Sequence, residues 1–409
     1  MRSKRIFLFS RDRAGAIPFL GLCLALLLMV GTGSEGHSVW VNPRPTPLDH
    51  WHYLRLDNTR ERFSEDVAFL GLAFGDINRD GFSDIVSGRY FYSNPGGNLS
   101  GEWRRVTFPQ NLDAMLVIDV DSDGQLDVIA QALPGMFWLK PNAQGDHWRV
   151  REVARLEPTP HTNSQGYVAA QIVPGGPPEL AFTTGKGLWY LRIPDNASSP
   201  WPKVQITADD TSDDLLAAGD LDGDGDAEVV GVLGDSGPND GRGLFWWENP
   251  GGGSGNWKRY SLGTTTNPAD RSAVADINED GRLDLIVSEE NGRAEGASTF
   301  WFENPPDPRN PWKRRAVTTQ GSTNSMSAAD MDGDGDPDII TAEHKGALRV
   351  TVWENQEKGN RWVAHLVGQG QESHLGARVA DLDGDGDLEI VSIGWDDYRR
   401  LHLWRNDGK

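Results

Sequence analysis

The chain has 409 residues, with 60 Asp and Glu against 39 Lys and Arg, a formal net charge of −21. That balance excludes nucleic acid as a partner. With 48 Gly, 24 Pro and 16 Trp and no long amphipathic helical pattern, the composition points to an all-β chain of short strands and many turns.

Residues 1–33 read as a secretory signal peptide. Arg2, Lys4, Arg5, Arg11 and Arg13 make a basic start, an apolar run follows from Phe19 to Val30, and small residues come next. The run is short for a spanning helix, which needs roughly 20 apolar residues. Membrane contact is therefore expected only if the leader stays uncleaved. Localisation is expected to be secreted, extracellular or periplasmic. The single cysteine, Cys23, lies inside the leader, and Leu22 stands where a lipoprotein signal would want a small residue. The mature chain then has no disulfide to staple it outside the cell. Residues 34–49 read as a linker.

From residue 50 onward the sequence repeats. The first element is "WHYLRLD" (51–57), an alternating strand with nothing before it. Acidic motifs then begin at Asp76, Asp119, Asp220, Asp276, Asp330 and Asp381, and "QIVPGGPPE" (171–179) fits the same frame in the long gap. Seven units result, spaced 43 to 56 residues apart, the range of propeller blades rather than helical solenoids. A tryptophan opens a short run after each unit's apolar strands: Trp103, Trp148, Trp201, Trp257, Trp312 and Trp362, with Trp51 as the seventh of the series. Such regular recurrence fits packing between blades better than binding. Third runs such as "YFYSNPG", "FWWENPG" and "FWFENPP" end in Asn, Pro or Gly, as strands ended by turns.

Each unit thus reads as four strands, exemplified by "RSAVAD" (271–276), "LDLIVS" (283–288), "TFWFEN" (299–304) and "WKRRAV" (312–317). The expected fold is a seven-bladed β-propeller of four-stranded antiparallel blades over residues 50–409. The last unit, ending "LHLWRNDGK", lacks a fourth strand. Residues 51–57 supply it and close the ring.

Six of the hairpins between first and second strands share the pattern Asp-x-(Asp/Asn)-x-Asp-Gly-x-x-(Asp/Glu). Oxygen side chains at positions 1, 3, 5 and 9 can converge on one hard cation, and Gly at position 6 permits the sharp turn. The expected ligand sets are Asp76, Asn78, Asp80 and Asp84; Asp119, Asp121, Asp123 and Asp127; Asp220, Asp222, Asp224 and Glu228; Asp276, Asn278, Asp280 and Asp284; Asp330, Asp332, Asp334 and Asp338; and Asp381, Asp383, Asp385 and Glu389. Oxygen-only ligands favour Ca²⁺ over zinc, so up to six Ca²⁺ are expected. Scattered polar turns would not fill the same positions six times. Unit three keeps Gly176 and Glu179 but has Gln171, Val173 and Gly175 at the other ligand positions, and is expected to bind none.

These units resemble FG-GAP/VCBS repeats, as in the N-terminal propeller of integrin α chains; "FGDINRDGFSDIVSG" (74–88) is nearest to the family pattern. The resemblance spans about 50–409. It implies a seven-bladed propeller with Ca²⁺ in the hairpins between first and second strands, and a binding site on the opposite face.

That opposite face carries the loops into each first strand, at Asp113, Asn163, Asp213, Arg271, Asn324 and His374, and the loops between second and third strands. Trp395 and Tyr398 fall outside the regular tryptophan series and are the aromatic candidates for stacking on a ligand. Together with Arg271, Asn324 and His374 they form the expected ligand-binding set. The expected role is a binding or adhesion module for carbohydrate or an extracellular protein. An enzyme on sugars (lyase, dehydratase or hydrolase) is the alternative, with Glu290, Glu343, His344 and His374 as acid/base candidates. A structural scaffold is the third. Clustering of Glu343, His344 and His374 at one cavity favours the enzyme; dispersal favours binding.

Overall fold

In the computed structural model, residues 46–184, 186–234 and 242–408 are described. The leader expected at 1–33 lies outside them. The strands pair into seven four-stranded antiparallel sheets. In blade five, Ala269–Ala275, Asp284–Glu289, Ala297–Glu303 and Lys313–Gln320 follow one another in sheet order. The expected strands lie within two or three residues of these. The hairpin turn ends where the sequence pattern places it: second strands begin at Asp84, Asp127, Glu228, Asp284, Asp338 and Glu389.

The ring closes as expected. Trp51–Asp57 pairs with Leu401–Asn406, completing the sheet of Leu375–Ala380 and Glu389–Ile393. The register joins Trp51 to Asn406 and Tyr53 to Trp404. Trp404 is 1% exposed and packs with Trp51 and Tyr53 from the closing strand and with Ile340 and Val352 from blade six. One end of the chain thus locks the other, and blade six is buried in the same cluster.

Second strands are buried on both faces, as in Asp338–Glu343, because each blade is covered on both sides by its neighbours. The recurrent tryptophans pack where blades meet. Trp148 of blade two stands edge-on to Phe91 and Phe108 of blade one, with ring centroids 5.6 and 4.9 Å away. Its indole N–H donates to the Gly145 carbonyl at 2.9 Å. The same short-range bond recurs from Trp103 to Leu99, Trp201 to Ala197, Trp257 to Gly253 and Trp312 to Pro308. Each of these five rings is buried with its one polar atom satisfied.

A second device joins the blades. The Asn that ends a third strand donates its side-chain amide to a carbonyl in the first hairpin of the preceding blade. Asn94 reaches Leu382, Asn249 reaches Ile172, Asn304 reaches Leu221 and Asn355 reaches Ile277, at 2.8–2.9 Å. In blade two, Gln125 does the same for Ile77 at 3.2 Å.

Candidate functional site

The two faces of the ring carry different chemistry. On one face, the six acidic hairpins share one geometry. The position-1 carboxylate accepts backbone N–H groups from within its own loop: Asp76 takes those of Asp80 and Gly81 at 2.9 and 3.0 Å, and Asp276 those of Asp280 and Gly281 at 3.0 and 2.8 Å. The position-6 glycines have φ between 79° and 104°, and at Gly81, Gly124, Gly225, Gly281 and Gly335 a Cβ would meet no atom closer than 3.6 Å. Conformation rather than space demands glycine.

Position 9 has a second task that the spacing alone did not reveal. Its carboxylate accepts the position-2 N–H, as in Asp84 from Ile77 at 3.0 Å and Glu389 from Leu382 at 2.8 Å. Glu179 in the third unit does this too, for Ile172 at 3.1 Å. This explains why unit three keeps that acid after losing the others.

The hairpins suit a cation. Asp127 Oδ1, Asp222 Oδ1, Asp383 Oδ1 and Glu389 Oε1 are buried without a hydrogen-bond partner. Burial, reinforced by neighbouring carboxylates, pushes Glu228 and Glu389 up to about 8 and Asp284 up to about 7. Carboxylates packed in this way repel without a counter-charge. In the second hairpin a protein group supplies part of one: the Lys140 ammonium contacts Asp121 and Asp123.

On the opposite face, first strands line a channel cavity of about 330 Å³ whose walls include Gln165, Tyr167, Asp214, Arg271, Met326 and Arg378. Its rim is rich in imidazole. Trp395 stands between His161 and His374, with ring centroids at 5.9 and 5.2 Å, and His344 meets His374 edge-on at 4.4 Å. Glu372 is held by the backbone N–H groups of Trp395, Asp396 and Asp397 at 2.8, 3.2 and 2.6 Å. Burial lowers the pKa of both His344 and His374.

A model of the FG-GAP-like repeat matches residues 220–287 and 330–392, which contain four of the acidic hairpins. The chain carries FG-GAP-like repeats. No curated protein matches the sequence. Among solved structures, the FG-GAP-like propeller is similar to BBS1N in complex with ARL6DN, at 11% identity and TM-score 0.53, covering 86% of this chain and 97% of that one. A lectin of Agrocybe aegerita, described as recognising non-reducing terminal N-acetylglucosamine, matches at 17% identity and TM-score 0.47 over 78% and 80%. The V. cholerae biofilm matrix protein Bap1 matches at 11% and 0.45 over 88% and 91%. At these identities the likeness concerns the fold alone.

Within the FG-GAP-like propeller the expected ligand-binding residues separate. Trp395 and His374 meet at the rim. Arg271 is 12% exposed at its side chain and bridges blades: its guanidinium donates to the Gln165 side chain at 2.7 Å and to the carbonyls of Asp214 and His374 at 3.0 and 3.4 Å. Asn324 is fully buried, its amide given to Glu290 at 2.5 Å. Tyr398 lies elsewhere, under the Arg62 guanidinium at 4.4 Å in a separate surface pocket beside residues 58–65.

The acid/base candidates also divide. His344 and His374 cluster, whereas Glu343 is fully buried, paired with Arg349 and accepting the Gly321 N–H at 3.0 Å. The cluster's carboxylate is Glu372, which the sequence reading passed over, as it did His161 and Asp214. Glu372 sits in no motif, and only its position two residues before His374 at a first-strand entrance could have marked it.

Proposed function

We propose that this FG-GAP-like propeller is a secreted, calcium-stabilised binding module that takes a carbohydrate at the channel rim. The observation that supports this best is Trp395, a half-buried indole flanked by His161 and His374 near the mouth of the channel. An aromatic face with planar donors and acceptors around it suits a sugar ring. Calcium in the hairpins supports the scaffold rather than the ligand. Secretion rests on the leader sequence. An extracellular protein is the alternative partner.

A glycan and polysaccharide array, scored for both retention and product, tests this. Retention that Trp395→Ala abolishes is the expected outcome; no retention of any glycan by the calcium-loaded protein would count against it. The enzymatic reading keeps one specific observation, the meeting of His344 and His374 with Glu372. Product formation lost with either histidine would favour it.

A further inference from the structure

We infer that His344, His374 and Glu372 form a binding site for a divalent transition metal of the Zn²⁺ class, separate from the acidic hairpins. His344 follows the second strand of blade six, while Glu372 and His374 precede the first strand of blade seven. The side-by-side packing of blades six and seven brings them together. One donor atom from each lies within 4.8 Å of the others. His344 Nε2 and Glu372 Oε1 are 3.5 Å apart. Donors bound to zinc at about 2.0–2.1 Å sit roughly 3.3 Å from one another in a tetrahedral set, so this pair is already spaced for an ion. The His374 ring approaches by a turn about its soft terminal torsion.

Three ring nitrogens here lack what buried polar atoms require. Both nitrogens of His344 and Nδ1 of His374 are buried without a hydrogen-bond partner, and His374 is only 8% exposed. Such groups are rare in folded proteins and call for a reason. A metal ion supplies one for a single nitrogen of each ring, two of the three.

The surroundings suit it. Three backbone N–H groups fix the Glu372 carboxylate, as outer-shell partners orient metal ligands. Asp396 Oδ2 lies 3.4 Å from His344 Nε2, within reach as a fourth ligand or an orienting group. A pocket of about 450 Å³ lined by His344, Lys345, Glu372 and Asp396 gives an entry path. Two imidazoles with one carboxylate favour Zn²⁺-type ions, whereas the oxygen-only hairpins favour Ca²⁺. Three protein ligands beside an open pocket leave a coordination position for water or a ligand oxygen. The inference stands whether or not the rim takes a sugar.

The test uses the full protein, stripped with chelator and reloaded with excess Ca²⁺ so that the hairpins are filled. Zn²⁺ alone is then titrated against a chromophoric chelator. One Zn²⁺ per chain is expected, with affinity at least tenfold weaker in His344→Ala and in His374→Ala. Absence of stoichiometric binding, or affinity unchanged in both variants, overturns the site. Co²⁺ added to the wild-type protein gives a readout that needs no variant: an intense four- or five-coordinate visible spectrum is expected, and only the weak six-coordinate spectrum of the aqueous ion overturns the site.

Discussion

Asn304 of blade five donates its side-chain amide to the Leu221 carbonyl in the acidic hairpin of blade four, at 2.8 Å. Its own backbone N–H donates to Asp284, the last acid of its own hairpin, at 2.8 Å. One residue thus ties two candidate cation loops together. Removing a buried donor leaves its acceptor unsatisfied, at about 1–3 kcal/mol. Asn304→Ala should therefore lose about that much stability by urea denaturation. A loss below about 0.5 kcal/mol would show that the inter-blade amide carries nothing.

The closing strand supplies the second expectation. Alternate residues of a strand donate into a given ladder, so of Tyr53→Pro and Leu54→Pro, one must remove a bond to Leu401–Asn406. That variant should lose about 2–4 kcal/mol and show faster amide exchange across residues 401–406. Equal, small effects from both substitutions would mean that the ring does not depend on this seam.

His402 gives a pH signature for the same blade. It is fully buried, with Nδ1 2.9 Å from the Tyr53 hydroxyl, and burial pushes its pKa down to about 3. A depressed imidazole pKa favours folding while the ring is neutral. Its contribution is complete above the unfolded value of about 6.5 and is lost as pH falls from there towards 3. His402→Phe keeps a ring without the titration. Its melting temperature should fall less than the wild type's between pH 7 and 4.5; parallel curves would contradict this assignment.

What could be read in the sequence was what repeats. The hairpin pattern recurs six times, so strand order, blade count and the second-strand starts followed from spacing. The orphan strand 51–57 and the missing fourth strand of the last unit identified each other. Singular contacts were not legible. Asn94, Asn249, Asn304 and Asn355 read only as strand terminators, because a carbonyl one blade away has no mark in the local sequence. Arg271 and Asn324 sit at the expected loop entrances, yet their side chains are used inside the protein, which periodicity cannot reveal. Glu372 and Trp395 meet across the two loops of blade seven, and His161, from the loop entering blade three, joins Trp395 across the channel, a pairing that no local sequence mark shows.

Trp395→Ala separates ligand from scaffold. The indole is half-buried against the blade-one and blade-seven core, so some stability should be lost, about 1–2 kcal/mol. Glycan retention should vanish while the calcium-dependent melt keeps its size. Retention at wild-type strength would move the binding site elsewhere.

The most direct measurement is a thermal melt of one sample in excess chelator, then after calcium is restored. Extracellular calcium sites commonly bind at about 10⁻⁴–10⁻³ M, and free calcium at ten times Kd adds about 1.4 kcal/mol per site. With several hairpins filled, the melting temperature should drop by several degrees in chelator and recover with calcium. Superimposable melts with and without calcium would contradict the reading of the acidic hairpins as the staples of this propeller.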